Sequence, residues 1–314
     1  MTTVLVTGGA GFIGSHLADR LLAEGHRVIS VDDLSTGRIA NLAEARGYGK
    51  EFTFFNMDVR ADGLMPLFER HRPEVVFHLA AQSGVRPSLE DPVHDASINV
   101  MGTLNVLECS SKVGVRKIVY AASGGTLYGE PKRLPVKETA AQGSYPLSPY
   151  GISKKVVLDY LGFYQRYRGV DFTALALGNV YGPRQDPHGE AGVIAIFASK
   201  MLSGERPTIY GDGNQTRDYV FIDDVVHAFV QSVDRGSAKL VNVGTGLEAS
   251  VSHLYKLLQE IIGFGDEPDH GALPPGELRR IALDITRAAS AIAWKPWTHL
   301  EDGLAETVAY LKGV

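Results

Sequence analysis

A single cysteine, Cys109, stands among the 314 residues, so no disulfide can form within the chain and a small cross-linked scaffold is excluded. It lies in an apolar helical stretch, where a lone thiol reads as a small buried hydrophobe. No apolar run reaches about eighteen residues, so no membrane-spanning helix is expected. A charged-then-apolar leader is missing from the start of the chain, and the cytoplasm is the expected compartment. Basic residues do not cluster. The 31 Lys and Arg against 36 Asp and Glu give a formal charge of −5, with no basic block interleaved with aromatics, which argues against nucleic-acid binding. The histidines are scattered, with no carboxylate or cysteine at metal-ligand spacing, so no metal site is expected. Internal repeats and low-complexity segments are lacking too.

What remains is a chain with 44% apolar and 21% charged residues, ordinary for a globular protein and long enough for a large core and two lobes. Its first functional signal is a set of glycines. The apolar run Thr3 to Thr7 leads into Gly8-Gly9-Ala10-Gly11-Phe12-Ile13-Gly14 and then a periodic stretch to Glu24, which reads as strand, turn and helix. Glycines so placed let backbone approach a pyrophosphate, while the amides at the helix start face its charge. Gly8, Gly11 and Gly14 are a wider variant of the usual dinucleotide fingerprint. A second strand, Arg27 to Val31, ends in Asp32 at about the spacing of the acid that grips an adenosine ribose. With Asp33 beside it, a 2′-phosphate would be repelled, so the expected cofactor is NAD, not NADP.

Strand and helix keep alternating afterwards. Strands are expected at Phe52 to Asn56, Val75 to Leu79, Lys117 to Ala121 and Asp171 to Leu177, with helices at Leu64 to His71 and from Pro92 to Val113 as one long stretch. Helices between strands imply right-handed crossovers and a parallel sheet covered on both faces. The expected class is α/β, a Rossmann-type doubly wound parallel sheet with a smaller C-terminal substrate-binding lobe. Residues 1–178 form the cofactor domain, with a return segment at about 223–247, and 179–222 with 248–314 form the lobe. The polar stretch from Gly263 to Gly276 is expected to be a loop.

Tyr150-Gly151-Ile152-Ser153-Lys154 carries the chemistry. On a helix that begins near Ser148-Pro149, residues four apart share one face, which sets a phenol beside an ammonium. A free tyrosine ionises only near pH about 10, so a neighbouring positive charge is needed to favour the phenolate at neutrality, and Lys154 can supply one. Ligands of doubly wound sheets bind beyond the carboxyl ends of the strands. There stand Gly8, Asp32, Asp58-Val59, Leu79-Ala80-Ala81 and Ser123-Gly124-Gly125-Thr126. A dinucleotide can touch them all, with adenine near Asp58 and Val59 and nicotinamide near Ser123, Tyr150 and Lys154.

On these residues, together with His78 to Gln82, Asp95 to Val100, Asn179 to Gln185 and Gly211 to Tyr219, the chain resembles the extended short-chain dehydrogenases/reductases, and among them the UDP-glucose 4-epimerases. The resemblance covers nearly the whole chain. It implies a UDP-sugar substrate, bound NAD, a homodimer, and inversion at C4 through a 4-keto intermediate, with Tyr150 as base and Lys154 in support. It further implies that Asn99 shapes the cofactor pocket, although a local backbone cap is also open to that asparagine. Asn179 and Arg217 would hold the nucleotide diphosphate, the alternative for Arg217 being a salt bridge to Asp218 or Asp212. Two positions depart from the family. Gly124 stands where a serine or threonine is usual, so the hydroxyl beside the substrate must come from Thr126, our choice, or Ser123. Pro274 stands where an arginine is usual, so either Arg279 or Arg280 would compensate or UDP would be held less tightly. Ile281 occupies the place of a family residue that limits room beside the sugar, an intermediate size that suggests some tolerance of N-acetylated sugars. UDP-glucuronate 4-epimerases and UDP-glucuronate decarboxylases share the first half-reaction and are the nearest alternatives. A 4,6-dehydratase is disfavoured because the loop holding Gly124 and Gly125 lacks its acid and base.

Overall fold

The computed structural model describes residues 1–187, 192–272 and 278–313. Its centre is a seven-stranded sheet of β1 (Thr3–Thr7), β2 (Arg27–Asp32), β3 (Phe52–Asn56), β4 (Val75–His78), β5 (Lys117–Ser123), β6 (Asp171–Leu177) and a late strand, Lys239–Val243. All pairings are parallel, in the order β3-β2-β1-β4-β5-β6 followed by the late strand. The chain winds outward from β1 in one direction and from β4 in the other, so a crevice opens between the carboxyl ends of β1 and β4. Strands covered on both faces are largely apolar and buried, as β4 up to His78 and most of β1, β5 and β6 are.

One face is covered by the helix Phe12–Ala23, which buries Leu17, Ala18, Leu21 and Leu22 and packs against the helix Ile222–Gln231. The other carries Leu64–His71, Thr103–Val113 and the long helix Pro149–Arg168, with Leu67, Phe68, Val106, Leu107, Val157 and Leu161 buried. Beyond β6 the strands are short. β7 (Asn179–Tyr181) pairs with β10 (Tyr219–Phe221), β8 (Thr208–Tyr210) with β13 (Asp269–Gly271), and β9 (Thr216–Arg217) with β12 (Ala249–Ser250), the late sheet strand being β11.

Three elements differ from the sequence reading. The stretch Pro92 to Val113 is not one α-helix: Pro92–Ala96 is α-helical, Ser97–Gly102 is a π-helix and Thr103–Val113 is α-helical again. A π turn holds one extra residue, which leaves apolar periodicity almost unchanged, and such turns gather at functional sites. The segment 263–276 is not all loop, because Asp269–Gly271 forms β13. Its residues show no apolar alternation, and backbone pairing with β8 makes the strand. Strand β5 extends two residues beyond Ala121, so Ser123 pairs with Leu177 as part of the sheet.

Candidate active site

The glycine turn is fixed by close approach. Gly8 sits at φ 69, and a Cβ on it would lie 2.8 Å from the Ala80 amide nitrogen, while a Cβ on Gly14 would overlap the Gly8 carbonyl. No other residue type fits at either place. Phe12 and Ile13 turn partly into the core beneath the turn, and Gly11 caps the helix with its amide bonded to the Gly8 carbonyl. Asp32 is 7% exposed at the end of β2, and its oxygens accept from Ala10 N at 3.0 Å and Leu34 N at 2.8 Å. Burial raises its pKa against the pull of those amides. Asp33 is exposed and bonded to Ser35. Asp58 is clasped by the Arg60 guanidinium, which holds its pKa low, and Val59 is buried against Gly102.

A chain of buried hydrogen bonds ties this turn to the neighbouring strand ends. Thr103 Oγ1 donates to the Asn99 carbonyl at 2.6 Å, so it accepts from the His78 Nε2–H at 2.8 Å. His78 Nδ1 is then unprotonated and accepts from Thr7 Oγ1 at 2.7 Å, and Thr7 in turn accepts from the amides of Leu79 and Ala80. Burial keeps the imidazole neutral, its pKa lowered to about 3. Asn99 is 2% exposed and bonds both the amide and the carbonyl of Gln82. Its side chain therefore caps the segment that follows Ala81, the local alternative that the sequence left open. The sequence assigns no role to Thr7, Thr103 or Asp95, although Thr7 and Asp95 stand in stretches already noted, and an aspartate four residues before Asn99 is the available clue.

Ser148 caps the long helix by accepting from Gly151 N, with Pro149 in the first turn. Tyr150 is partly open to the crevice, whereas Lys154 is 3% exposed. Lys154 Nζ donates to the Ala121 carbonyl at 2.9 Å and lies 4.9 Å from the Tyr120 ring and 5.8 Å from the Tyr150 ring. Desolvation pushes the phenol up to about 12, against a hydrogen bond with Ser123, and lowers the ammonium to about 8. Burial dominates the phenol in this structure, so positive charge beyond that of Lys154, such as a nicotinamide ring brings, is needed to favour the phenolate.

Gly124 is explained by its surroundings. Its amide donates to the Leu177 carbonyl at 2.7 Å, and a Cβ would lie 2.9 Å from that oxygen and 2.6 Å from Leu283 Cδ1. A serine there would collide with backbone. Thr126 packs on Gly151, one residue from Tyr150, and its buried Oγ1 has no hydrogen-bond partner among the described residues. Asn179 faces Gly125 from β7. Arg217 donates to the Thr216 carbonyl, and beside it Arg280 grips Glu248 through two bonds of 2.9 and 2.5 Å. Arg279 lies near Asp212 at 3.8 Å. Pro274 and its neighbours 273–277 lie outside the described residues. Ile281 is 2% exposed in the cluster that includes Tyr128 and Leu283, so it presents almost no surface to the crevice, and the expected gate is not seen there.

These parts suit a dinucleotide: a turn with no room for a Cβ at Gly8 or Gly14, a carboxylate at the second strand end, and a tyrosine–lysine pair past the fifth. They define an enzyme of the Rossmann type built for oxidation and reduction at a hydroxyl-bearing carbon. The model of the NAD dependent epimerase/dehydratase family matches residues 4–244, and the chain belongs to that family. It is 46% identical to a UDP-glucose 4-epimerase of Mycolicibacterium smegmatis, over 98% of both chains. A crystal structure of the Thermotoga maritima UDP-glucose 4-epimerase with UDP-glucose matches it at a TM-score of 0.95 and 45% identity, covering 99% of each chain. The Thermus thermophilus UDP-glucose 4-epimerase in complex with NAD matches at 0.92 and 39% identity, again over 99% of each.

Proposed function

We infer that this protein inverts C4 of a UDP-hexose, interconverting UDP-glucose and UDP-galactose. The observation that carries the reading is the meeting of Tyr150, Lys154 and Ser123 at one end of a dinucleotide cradle, with Thr126 packed on Gly151 beside them. The 46% identity to a UDP-glucose 4-epimerase supports the sugar. NAD, when bound, supplies a hydride acceptor and a positively charged ring. Gly8, Gly11, Phe12, Ile13 and Gly14 would hold its diphosphate, Asp32 and Asp33 its adenosine ribose, and Asp58 with Val59 its adenine. Leu79, Ala80 and Ala81 would wall the middle, Asn99 acting on it only by holding the segment at Gln82, and Ser123, Tyr150 and Lys154 the nicotinamide end.

Tyr150 takes the proton of the 4-hydroxyl as C4 is oxidised, and returns it after the 4-keto sugar has presented its other face. Ser123 steadies the phenolate, and Thr126 donates to the substrate 4-oxygen. Asn179, Arg217 and Arg280 hold the diphosphate from the lobe of residues 179–222 and 248–314. Because the hydride is returned, NADH should not accumulate. Incubation with a panel of UDP-sugars and separation of epimers tests the reading: faster turnover of UDP-glucuronate would favour the glucuronate 4-epimerase or decarboxylase alternative. Binding of NAD with no turnover of any of them would mean a non-catalytic regulator.

We place this activity in the cytoplasm and in a homodimer. No described helix is long and apolar enough to cross a membrane. Ile152, Tyr160, Phe163 and Tyr167 are exposed along one face of the helix Pro149–Arg168, with Met101 and Val93 exposed on the helical elements that precede it in the chain. A stripe of this kind suits a second copy of the same helix. Phe163→Glu should turn the dimer into a monomer in light scattering.

A further inference from the structure

Asp95 is fully buried. Its carboxylate accepts from Ser153 Oγ at 2.5 Å and from Asn99 Nδ2 at 2.9 Å, so it joins the helix Pro92–Ala96 to the π turn and to the residue directly before Lys154. Burying a carboxylate is costly unless a positive charge or several donors compensate it. Two neutral donors explain its geometry but not its charge, since an asparagine could accept the same Ser153 bond. The charges it feels are those of Lys154 and of His94, and His94 is exposed.

Lys154 has a matching shortage. Its bonded partner is a carbonyl and its near neighbours are the rings of Tyr120 on β5 and Tyr150 on its own helix, while His78 on β4 is neutral. Asp95 is the group whose negative charge reaches it. We propose that Asp95 is a positioning residue for the Tyr150–Lys154 pair, a buried counter-charge that keeps Lys154 an ammonium and, through Ser153 and Asn99, fixes the helix that carries both. This rests on the reading of Tyr150 and Lys154 given above but not on the identity of the sugar.

The sign follows from the surroundings. Burial lowers the Lys154 ammonium and the Asp95 charge works against that, while the same charge pushes the Tyr150 phenol upward. Removing it lowers both pKa values. In Asp95→Asn the whole pH profile of kcat should therefore shift toward acid on both limbs, the direction that loss of a buried negative charge imposes on both groups. Ser153→Ala removes the bond and keeps the charge, so its loss of kcat should be the same at every pH.

A readout free of substrate and cofactor is the NMR titration of Lys154 Nζ, assigned with Lys154→Arg. The signal should titrate near 8 in the unaltered protein and at lower pH in Asp95→Asn. Should Asp95→Asn not fold, Asp95→Ser, which leaves room for water, is read in the same way. An unmoved Nζ titration together with an unmoved profile would overturn the counter-charge role. Unaltered protein that turned over no UDP-sugar would instead sink the functional reading, and the Nζ titration would still decide the role of Asp95.

Discussion

Along the cofactor half of the crevice, polar groups are buried and answer one another: Thr7 with His78, His78 with Thr103, Asn99 with Gln82 and Asp95, Lys154 with a carbonyl. Across from it the two arginines that follow the segment 273–277 stand in solvent. Arg279 and Arg280 face Asp212 and Glu248 with 81% and 60% of their surfaces exposed. Buried hydrogen bonds leave little freedom, because an unmade one costs about 1–3 kcal/mol, whereas an exposed ion pair contributes about 0–1 kcal/mol. One half is set before a ligand arrives, and the other is free to rearrange around it. That suits a reaction whose cofactor stays in place while the sugar must turn over between two orientations.

If the buried half carries the chemistry, the largest loss should come from Tyr150→Phe. The substitution removes the proton-transferring oxygen and almost no volume, so turnover should fall by about a hundredfold or more, within the range for general acid–base groups. Bound NAD, measured by absorbance and by release on denaturation, should be unchanged. Loss of NAD in place of turnover would move Tyr150 from chemistry to cofactor binding.

The next effect separates two hydroxyls within the same half. Thr126→Ala should slow turnover by roughly ten- to a thousandfold, the range for one donor lost from developing charge, and Thr126→Ser should keep most of it. Ser123→Ala should do less, and differently: Ser123 bonds Tyr150 and lowers its pKa, so its loss raises that pKa and moves the acid limb of the kcat profile upward. A larger loss from Ser123→Ala with NAD retained would exchange the two roles.

Asp32→Asn should act on cofactor and not on turnover at saturation. An amide nitrogen in place of either oxygen would face the donors Ala10 N or Leu34 N, and the charged bond to a ribose would be gone. NAD affinity should fall by roughly ten- to a hundredfold, the worth of a hydrogen bond to a charged group, as read by calorimetry.

The same contrast explains what could be read from sequence. The glycine turn, Asp32, the capped start at Ser148-Pro149 and the alternation of strand and helix are local patterns, each imposed by backbone geometry within a few residues, and the sheet formed as they indicate. The π turn was hidden because one added residue barely alters apolar spacing. Asp95 was hidden because its partner Ser153 is 58 positions away and only the fold brings them together. Gly124 was legible as a departure but not as a necessity. The reason, Leu283 and the Leu177 carbonyl filling the space of a side chain, comes from segments far along the chain.

The smallest effect should come from the exposed half. Arg280 is the basic residue we assign to the diphosphate in the absence of an arginine at Pro274, yet in this structure its fork is taken up by Glu248, which also holds the Thr216 hydroxyl. To serve a phosphate it must leave that partner, and the exchange of one exposed ion pair for another yields little. Arg280→Ala should raise KM for the UDP-sugar by about fivefold or less, the factor that corresponds to about 1 kcal/mol, with kcat nearly unchanged. Glu248→Gln, which frees the guanidinium and retains a hydrogen-bonding side chain near Thr216, should lower KM by a similar or smaller factor. Opposite movements of KM in these two variants would support a phosphate role for Arg280. A fall in kcat for Arg280→Ala as large as that for Thr126→Ala would mean that the exposed half is set as firmly as the buried one, and the contrast between them would fail.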